Sequence, residues 1–323
     1  MPWMELSLNT THEAVDWVCT LLATTDYGGE VRVLEYADLK SSPLAEPEQG
    51  HPAWTFTISL YLPCDRPIHT QVEKLEHLLS PLHRTGIATA LQVSRVDEKP
   101  APRSGLNPLA HRIGQRFVVL TPDALYEPES VDDIPLRLKT SLSFGSGLHP
   151  ATIVSLRLLE RYITPTMNVL DLGSGSGILS VAMAKLGAQV LALDNDRVAV
   201  EATQDAVDRN RVAQQVTVRA GSLGQGSDLG HWMGGDVPDQ VPTTHATGSF
   251  DLIVSNILAR VHIALAPDLQ RALRRTDGGG LLITAGFTTD QEGDVDAALR
   301  EVGFQAIACE RLNEWVALAH RLV

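Results

Sequence analysis

From Met167 onward, short apolar runs alternate with stretches of helical period. The apolar runs are Asn168–Leu172, Gln189–Leu193, Gln215–Arg219, Phe250–Ser255, Gly280–Ala285, Gln305–Cys309 and Trp315–Ala319. Strands that alternate with helices predict a mostly parallel sheet covered on both faces. The last two runs are too close for a crossover, so they predict an antiparallel hairpin at the sheet's edge. The first hundred residues follow another rhythm. Trp3–Leu8, Glu30–Tyr36, Trp54–Leu62 and Ala88–Val96 read as strands, and Ala14–Ala23 and Pro67–Leu82 as helices, the first introduced by the cap-like Thr10-Thr11-His12-Glu13. The order βαββαβ predicts a small α+β, ferredoxin-like domain over residues 1–98. Glu98–Gly105 has the composition of a linker, and Arg116–Leu120 and Leu136–Thr140 read as short strands leading onward. Residues 99–138 are thus expected to be a linker and bridging segment, with the α/β domain over residues 139–323. Ser222–Ser249, rich in Gly, Asp and Thr and without a period, is expected to be a long mobile loop.

The α/β pattern carries chemistry at its first turn. Val169-Leu170-Asp171-Leu172-Gly173-Ser174-Gly175-Ser176-Gly177 is an apolar strand running into a glycine turn, followed by a helical run. Glycines leave the backbone bare where a ligand approaches closely. Asp194 ends the next strand, where its carboxylate can accept from both hydroxyls of a ribose. The dinucleotide fingerprint asks for a third small residue at the position that Ile178 fills, and here the third glycine, Gly177, comes one residue early. A turn of this kind suits S-adenosylmethionine, which has no pyrophosphate to seat on the helix, and it resembles the first motif of class I methyltransferases.

Other candidates lie at neighbouring loops. Asn256 closes the apolar run from Phe250 to Ser255, and in open α/β sheets ligands sit beyond the strands' carboxyl ends. Its amide can hold a target amine or the cofactor's carboxylate, or it can cap the following helix. Ser143–Thr152 is a shaped loop entering a helix from Ile153, with Thr152 near the helix start. His149 in that loop is a candidate base or a hydrogen-bonded structural residue. Arg219-Ala220-Gly221-Ser222 can flank an adenine or simply turn the chain.

Composition narrows the partner. With 44% apolar residues, the 323-residue chain can fill two cores. A net charge of −13 disfavours direct nucleic-acid binding and favours a basic partner. The three cysteines are far apart, so neither a disulfide framework nor a zinc site is expected. The opening residues lack a signal peptide's pattern, and no apolar run reaches the roughly 20 residues of a membrane span. A cytoplasmic, reduced protein is expected.

These segments together resemble one family, the methyltransferases of large-subunit ribosomal protein L-eleven. Met1-Pro2-Trp3 with Leu6 and Leu8-Asn9-Thr10-Thr11 is similar to that family's N-terminal substrate-recognition domain. Phe144-Gly145-Ser146-Gly147-Leu148-His149-Pro150-Ala151-Thr152 is similar to its Phe-Gly loop, and Ser255-Asn256-Ile257-Leu258-Ala259 with Leu265-Ala266-Pro267 to its Asn-Ile-Leu-Ala element. The resemblance implies a Rossmann-like, seven-stranded class I domain behind a ferredoxin-like one. It implies cofactor contacts at Thr152, Gly173, Asp194 and Asn256, to which the turn geometry adds Gly175. It implies trimethylation of lysine side chains and of the N-terminal α-amine; the place of Asn256 at its strand end makes it the catalytic candidate holding the amine. Three segments depart from the family: Lys139-Thr140-Ser141 stands where it has Asp-Pro-Gly, Pro102–Leu109 lacks its tryptophans, and the Ser222–Ser249 loop is longer. All three bear on substrate positioning and not on cofactor binding. The rival readings are a nicotinamide oxidoreductase, which Ile178 opposes, a methyltransferase of another protein or amine, and a silent relative that only binds a ribosomal protein.

Overall fold

The computed structural model describes residues 2–11, 14, 15, 18, 21, 22, 31–35, 54–64, 68–98, 111–120, 122, 126–138, 149–224, 242–275 and 278–323. The chain divides into two compact units, Met1–Ala110 with Thr140–His149, and His111–Lys139 with Pro150–Val323.

The first unit contains β1 (Trp3–Thr10), β2 (Val31–Glu35), β3 (Phe56–Pro63), α1 (Ile68–Arg84) and β4 (Gln92–Val96). Residues 14, 15, 18, 21 and 22 are helical, at the place the sequence predicts a helix. All pairings are antiparallel in the order β2-β3-β1-β4, the arrangement of a ferredoxin-like sandwich. Leu75, Leu79 and Leu82 form one face of α1 and close over Leu6, Leu8, Ile58 and Leu60 of the sheet. The predicted strand from Ala88 is shorter than expected. Ala88 makes only an isolated bridge to Thr10, and the regular ladder begins at Gln92.

The second unit opens with β5 (His111–Ile113), β6 (Phe117–Leu120) and β7 (Ile134–Arg137), a three-stranded sheet of its own. This is the described part of the segment expected to bridge, and it is packed into the α/β core instead. Ile113, Phe117, Val119, Ile134 and Leu136 join the same apolar cluster as the first helix of that core. Glu160 on that helix accepts the backbone N–H groups of Gln115 and Arg116, and Asn210 brackets Arg137 by accepting its N–H and donating to its carbonyl. The linker Glu98–Gly105 beyond residue 98, Pro102–Leu109, Lys139–Ser141 and the loop up to Leu148 lie outside the described residues.

The α/β core is α2 (Pro150–Tyr162), β8 (Asn168–Leu172), α3 (Ile178–Lys185), β9 (Gln189–Asp194), α4 (Arg197–Arg209), β10 (Val216–Ala220), β11 (Ser222–Leu223), β12 (Thr243–Thr244), β13 (Leu252–Asn256), α5 (Ala259–Ala272), β14 (Leu281–Thr288), α6 (Glu292–Glu301), β15 (Phe304–Leu312) and β16 (Trp315–Leu322). Seven strands form one sheet, β10-β9-β8-β13-β14-β16-β15, parallel from β10 to β14. The β15–β16 hairpin is antiparallel, as the sequence predicts, and β16 is the strand that pairs with β14. Helices α2, α3 and α4 bury one face and α5 and α6 the other, so β8 and β13 read as nearly unbroken apolar runs. Phe250 is not part of β13 but bridges to Leu273, which leaves Asn256 as the last residue of the strand. Of the loop expected over Ser222–Ser249, residues 225–241 lie outside the described residues, and the flanks pair in parallel as β11 and β12.

Candidate functional site

Strand order brings the candidates together. Strands β9, β8 and β13 are neighbours, and at their carboxyl ends stand Asp194, the glycine turn and Asn256.

The turn is built from backbone that only glycine adopts freely. Gly173, Gly175 and Gly177 have φ of 79°, 54° and 79°. The N–H groups of Gly173 and Ser174 donate to the Leu193 carbonyl at 2.9 and 3.1 Å, which pins the turn to β9. Thr203 of α4 donates its hydroxyl to the Gly175 carbonyl at 3.0 Å and meets the Ser174 hydroxyl at 2.9 Å. Gly177 is needed for packing as well as for φ. A Cβ there would stand 2.9 Å from the Thr203 Cα and 3.2 Å from the Ala206 Cβ. The early third glycine therefore admits α4, the helix that follows β9, to the turn.

Asp194 is buried and its two oxygens have separate duties. Oδ2 accepts the Gly175 N–H and Oδ1 accepts the Asp196 N–H, each at 2.9 Å. A carboxylate oxygen has a second lone pair, so both remain able to accept. Burial pushes the Asp194 carboxyl up, and backbone hydrogen bonds from Asp196, Gly175 and Asn195 oppose that shift. The Gly221 N–H donates to the Asp194 carbonyl at 2.9 Å, which places the Arg219–Ser222 turn beside the same strand end.

Asn256 faces α2. Its Nδ2 points to the Thr152 hydroxyl at 3.5 Å, while its Oδ1 is buried and accepts no hydrogen bond among the described residues. Thr152 lies in the first turn of α2 and is buried. The helix after β13 is capped at Leu258, without a side-chain bond, so Asn256 does not act as a helix cap. His149 is fully buried, and burial pushes its imidazole down to about 4, which keeps it neutral near physiological pH.

Two participants escape the sequence reading. Asp171, inside the apolar run of β8, is fully buried; it accepts the Ser180 hydroxyl on Oδ2, and Oδ1 has no partner among the described residues. Burial pushes its carboxyl up to about 7, and the Asp194 charge acts in the same direction. A carboxylate inside a buried strand is itself the signal that could have found it. The second is Ile257, whose Cγ2 fills the space a Gly173 side chain would take, 2.4 Å from where its Cβ would be.

An open sheet of this order, with a glycine turn after its first strand, an acidic residue ending its second and an antiparallel hairpin at one edge, defines a Rossmann-like methyltransferase domain of class I. The comparisons carry this further. The family model "Ribosomal protein L11 methyltransferase (PrmA)" matches residues 2–322. Relatives named ribosomal protein L11 methyltransferase include one from Chloroflexus aurantiacus, 40% identical over 99% of this chain and 98% of its own length. Another, from Herpetosiphon aurantiacus, is 38% identical over 99% of both. The crystal structure of a ribosomal protein L11 methylase from Lactobacillus delbrueckii subsp. bulgaricus superposes with a TM-score of 0.52 at 30% identity, over 66% of this chain and 98% of that one. The chain belongs to the ribosomal protein L11 methyltransferase family and is a methyltransferase. Among the described residues no helix is long and apolar enough to cross a membrane.

Proposed function

We propose that the chain is an S-adenosylmethionine-dependent protein N-methyltransferase. It acts on ribosomal protein L-eleven, at lysine side chains and the N-terminal amine, in the cytoplasm. The observation that carries this reading is the convergence, at one sheet edge, of Asp194, the Gly173–Gly177 turn and an Asn256 oxygen without a partner among the described residues. The donor set fits the cofactor. Asp194 has lone pairs left for a ribose diol, and Asn256 with Thr152 offers polar groups for an amino-acid end or an amine.

When bound, S-adenosylmethionine supplies an electrophilic methyl group on a sulfonium. The protein's work is alignment and exclusion of water. A free lysine has a pKa of about 10.4, and its ammonium has no lone pair to attack with. Desolvation in the site disfavours that ammonium, so deprotonation does not demand a dedicated base. His149, whose imidazole burial pushes down to about 4, is a poor proton acceptor, which fits that arrangement. Asn256 Oδ1 can accept from the amine and hold it in line. The acidic chain, at −13, attracts a basic protein and repels nucleic acid. Residues 1–98 are assigned to substrate recognition and the second unit to chemistry.

The test is incubation with labelled S-adenosylmethionine and purified L-eleven, read by mass spectrometry, for the natural protein and Asn256→Ala. Loss of transfer with near-normal melting supports the reading. Full transfer by the variant, or no label on L-eleven from the natural protein, refutes it.

A further inference from the structure

We propose that Gly286 and His262 are positioning residues that fix the amide of Asn256, by clamping the Asn256–Ile257 peptide against the bulge of β14. The inference rests on the role given to Asn256 above and concerns what sets that side chain.

Three observations converge. Gly286 has φ +90° inside a strand, and the register of β14 with β16 shifts between Thr284 and Phe287. A bulge with a positive-φ glycine bends the strand locally. The bend lets the peptide of the next loop lie directly on the glycine. A Cβ at residue 286 would stand 2.5 Å from the Ile257 carbonyl oxygen, 2.8 Å from the Ile257 nitrogen and 2.9 Å from Asn256 Oδ1. All three distances are shorter than real Cβ contacts, and two of the atoms belong to backbone.

The same peptide is then locked. The Ile257 N–H donates to the Ala285 carbonyl at 3.0 Å, and His262 Nε2 meets that carbonyl at 2.9 Å. A carbonyl only accepts, so the ring atom facing it is the protonated one. His262 is fully buried on α5, and its ring packs edge-on to Phe287 at 5.5 Å, directly after Gly286. Burial pulls the imidazole down to about 4, so the neutral donor persists near physiological pH. On the other side, the Ile257 side chain occupies the space left open by Gly173. The Asn256–Ile257 dipeptide is therefore held between two glycines, one in the cofactor turn and one in the β14 bulge.

This gives the orphaned oxygen a purpose. Asn256 Oδ1 rests over the bare Gly286 Cα and takes no hydrogen bond from the described residues, while Nδ2 is turned to Thr152. The amide is held by contact and left with an acceptor for an N–H of the substrate amine or of the cofactor's amino-acid end. A strand that merely ended would need neither a positive φ at 286 nor a buried histidine on its neighbour's carbonyl.

The test compares Gly286→Ala, His262→Leu, His262→Gln and Asn256→Ala in the full chain. Its readouts are turnover, calorimetric affinity for S-adenosylhomocysteine, and melting temperature. Gly286→Ala should lower turnover or affinity by about 10–100-fold, since misplacement by about 1 Å carries that cost. Added to Asn256→Ala it should lower them no further, because both changes act through one side chain. His262→Leu should share the defect. His262→Gln, whose amide can still donate to Ala285, should stay within about threefold of the natural protein. The inference is overturned if Gly286→Ala and His262→Leu only lower melting while turnover and binding stay normal, or if the Gly286→Ala loss adds in full to that of Asn256→Ala. Should Gly286→Ala not fold, the histidine pair decides, and equal behaviour of Gln and Leu overturns the inference. A defective Asn256→Ala beside a normal Gly286→Ala and His262→Leu sinks this inference alone. A normal Asn256→Ala sinks the reading of the site and this inference with it.

Discussion

Replacing Asp194 by Asn keeps size and shape but removes the charge and one acceptor. In the natural protein Oδ2 holds the Gly175 N–H and Oδ1 the Asp196 N–H, each at 2.9 Å. Whichever way the Asn amide turns, one of those N–H groups faces an NH2 that cannot accept. Losing one bond to a charged group costs about 1.5–3 kcal/mol. Against this, burial already disfavours the Asp194 carboxylate, so removing the charge returns part of the cost. Folding stability should therefore move by no more than about 1–2 kcal/mol in either direction. A ribose diol has no such compensation. It meets one acceptor where it needs two, and the loss of about 1.5–3 kcal/mol weakens binding by about 10–150-fold. Calorimetry with S-adenosylmethionine and S-adenosylhomocysteine, beside a melting curve, separates the two quantities. A cofactor analogue without the ribose 2′-hydroxyl should show a smaller gap between natural protein and variant. Affinity within twofold of the natural protein would mean that Asp194 is a brace for the turn and not a ribose ligand.

Gly177→Ala should lose about 2–5 kcal/mol of stability in denaturant unfolding, from a φ of 79° and a Cβ 2.9 Å from the Thr203 Cα. Gly248→Ala, with φ +57° and open space around it, should lose only the conformational part, and similar losses at both sites would contradict the packing argument. Asp171→Asn tests the buried carboxyl. Burial lifts its folded pKa from 3.8 to about 7, so the folded protein keeps a proton that the unfolded chain has released, and stability declines as pH rises through that window. The Asn variant does not titrate. Its melting advantage should grow between about pH 4 and 7 and then level off at a few kcal/mol at most, and an advantage that shrinks with pH would refute the assignment. A chain starting at His111 should keep its affinity for S-adenosylhomocysteine and lose transfer to L-eleven; full transfer would show that the first unit is dispensable.

The sequence pattern locates the α/β strands to within a residue or two at most ends, because a strand buried on both faces is apolar at nearly every position. The misses have physical causes. Phe250 is as apolar as its neighbours, but it pairs with Leu273 and not with the sheet, a distinction made by tertiary register alone. The segment 99–138 reads as a bridge because its strands are short, and the attachment of its described strands depends on Glu160 and Asn210, far along the chain. At the site, Asp194 and Asn256 stand out as polar residues closing apolar runs, and they do share one sheet edge. The apolar run ends at Ala285, so the pattern stops one residue short of Gly286 and of the bulge that it forms in β14. His262 is not legible in the pattern, because a histidine on a helix shows nothing of its partner until the fold brings Ala285 to it.

The edge hairpin has a consequence for the order in which the molecule can be completed. β15 reaches the sheet only through β16, and β16 lies between β15 and β14. The strand made later is thus the inner one. While the ribosome is still adding Trp315–Leu322, β14 has a partner on one side only, and its eight residues present an unpaired ladder to any chain nearby. Sealing that ladder requires the hairpin to close and dock as one piece, so the β15–β16 hairpin acts as the latch that ends the exposure of β14 to aggregation.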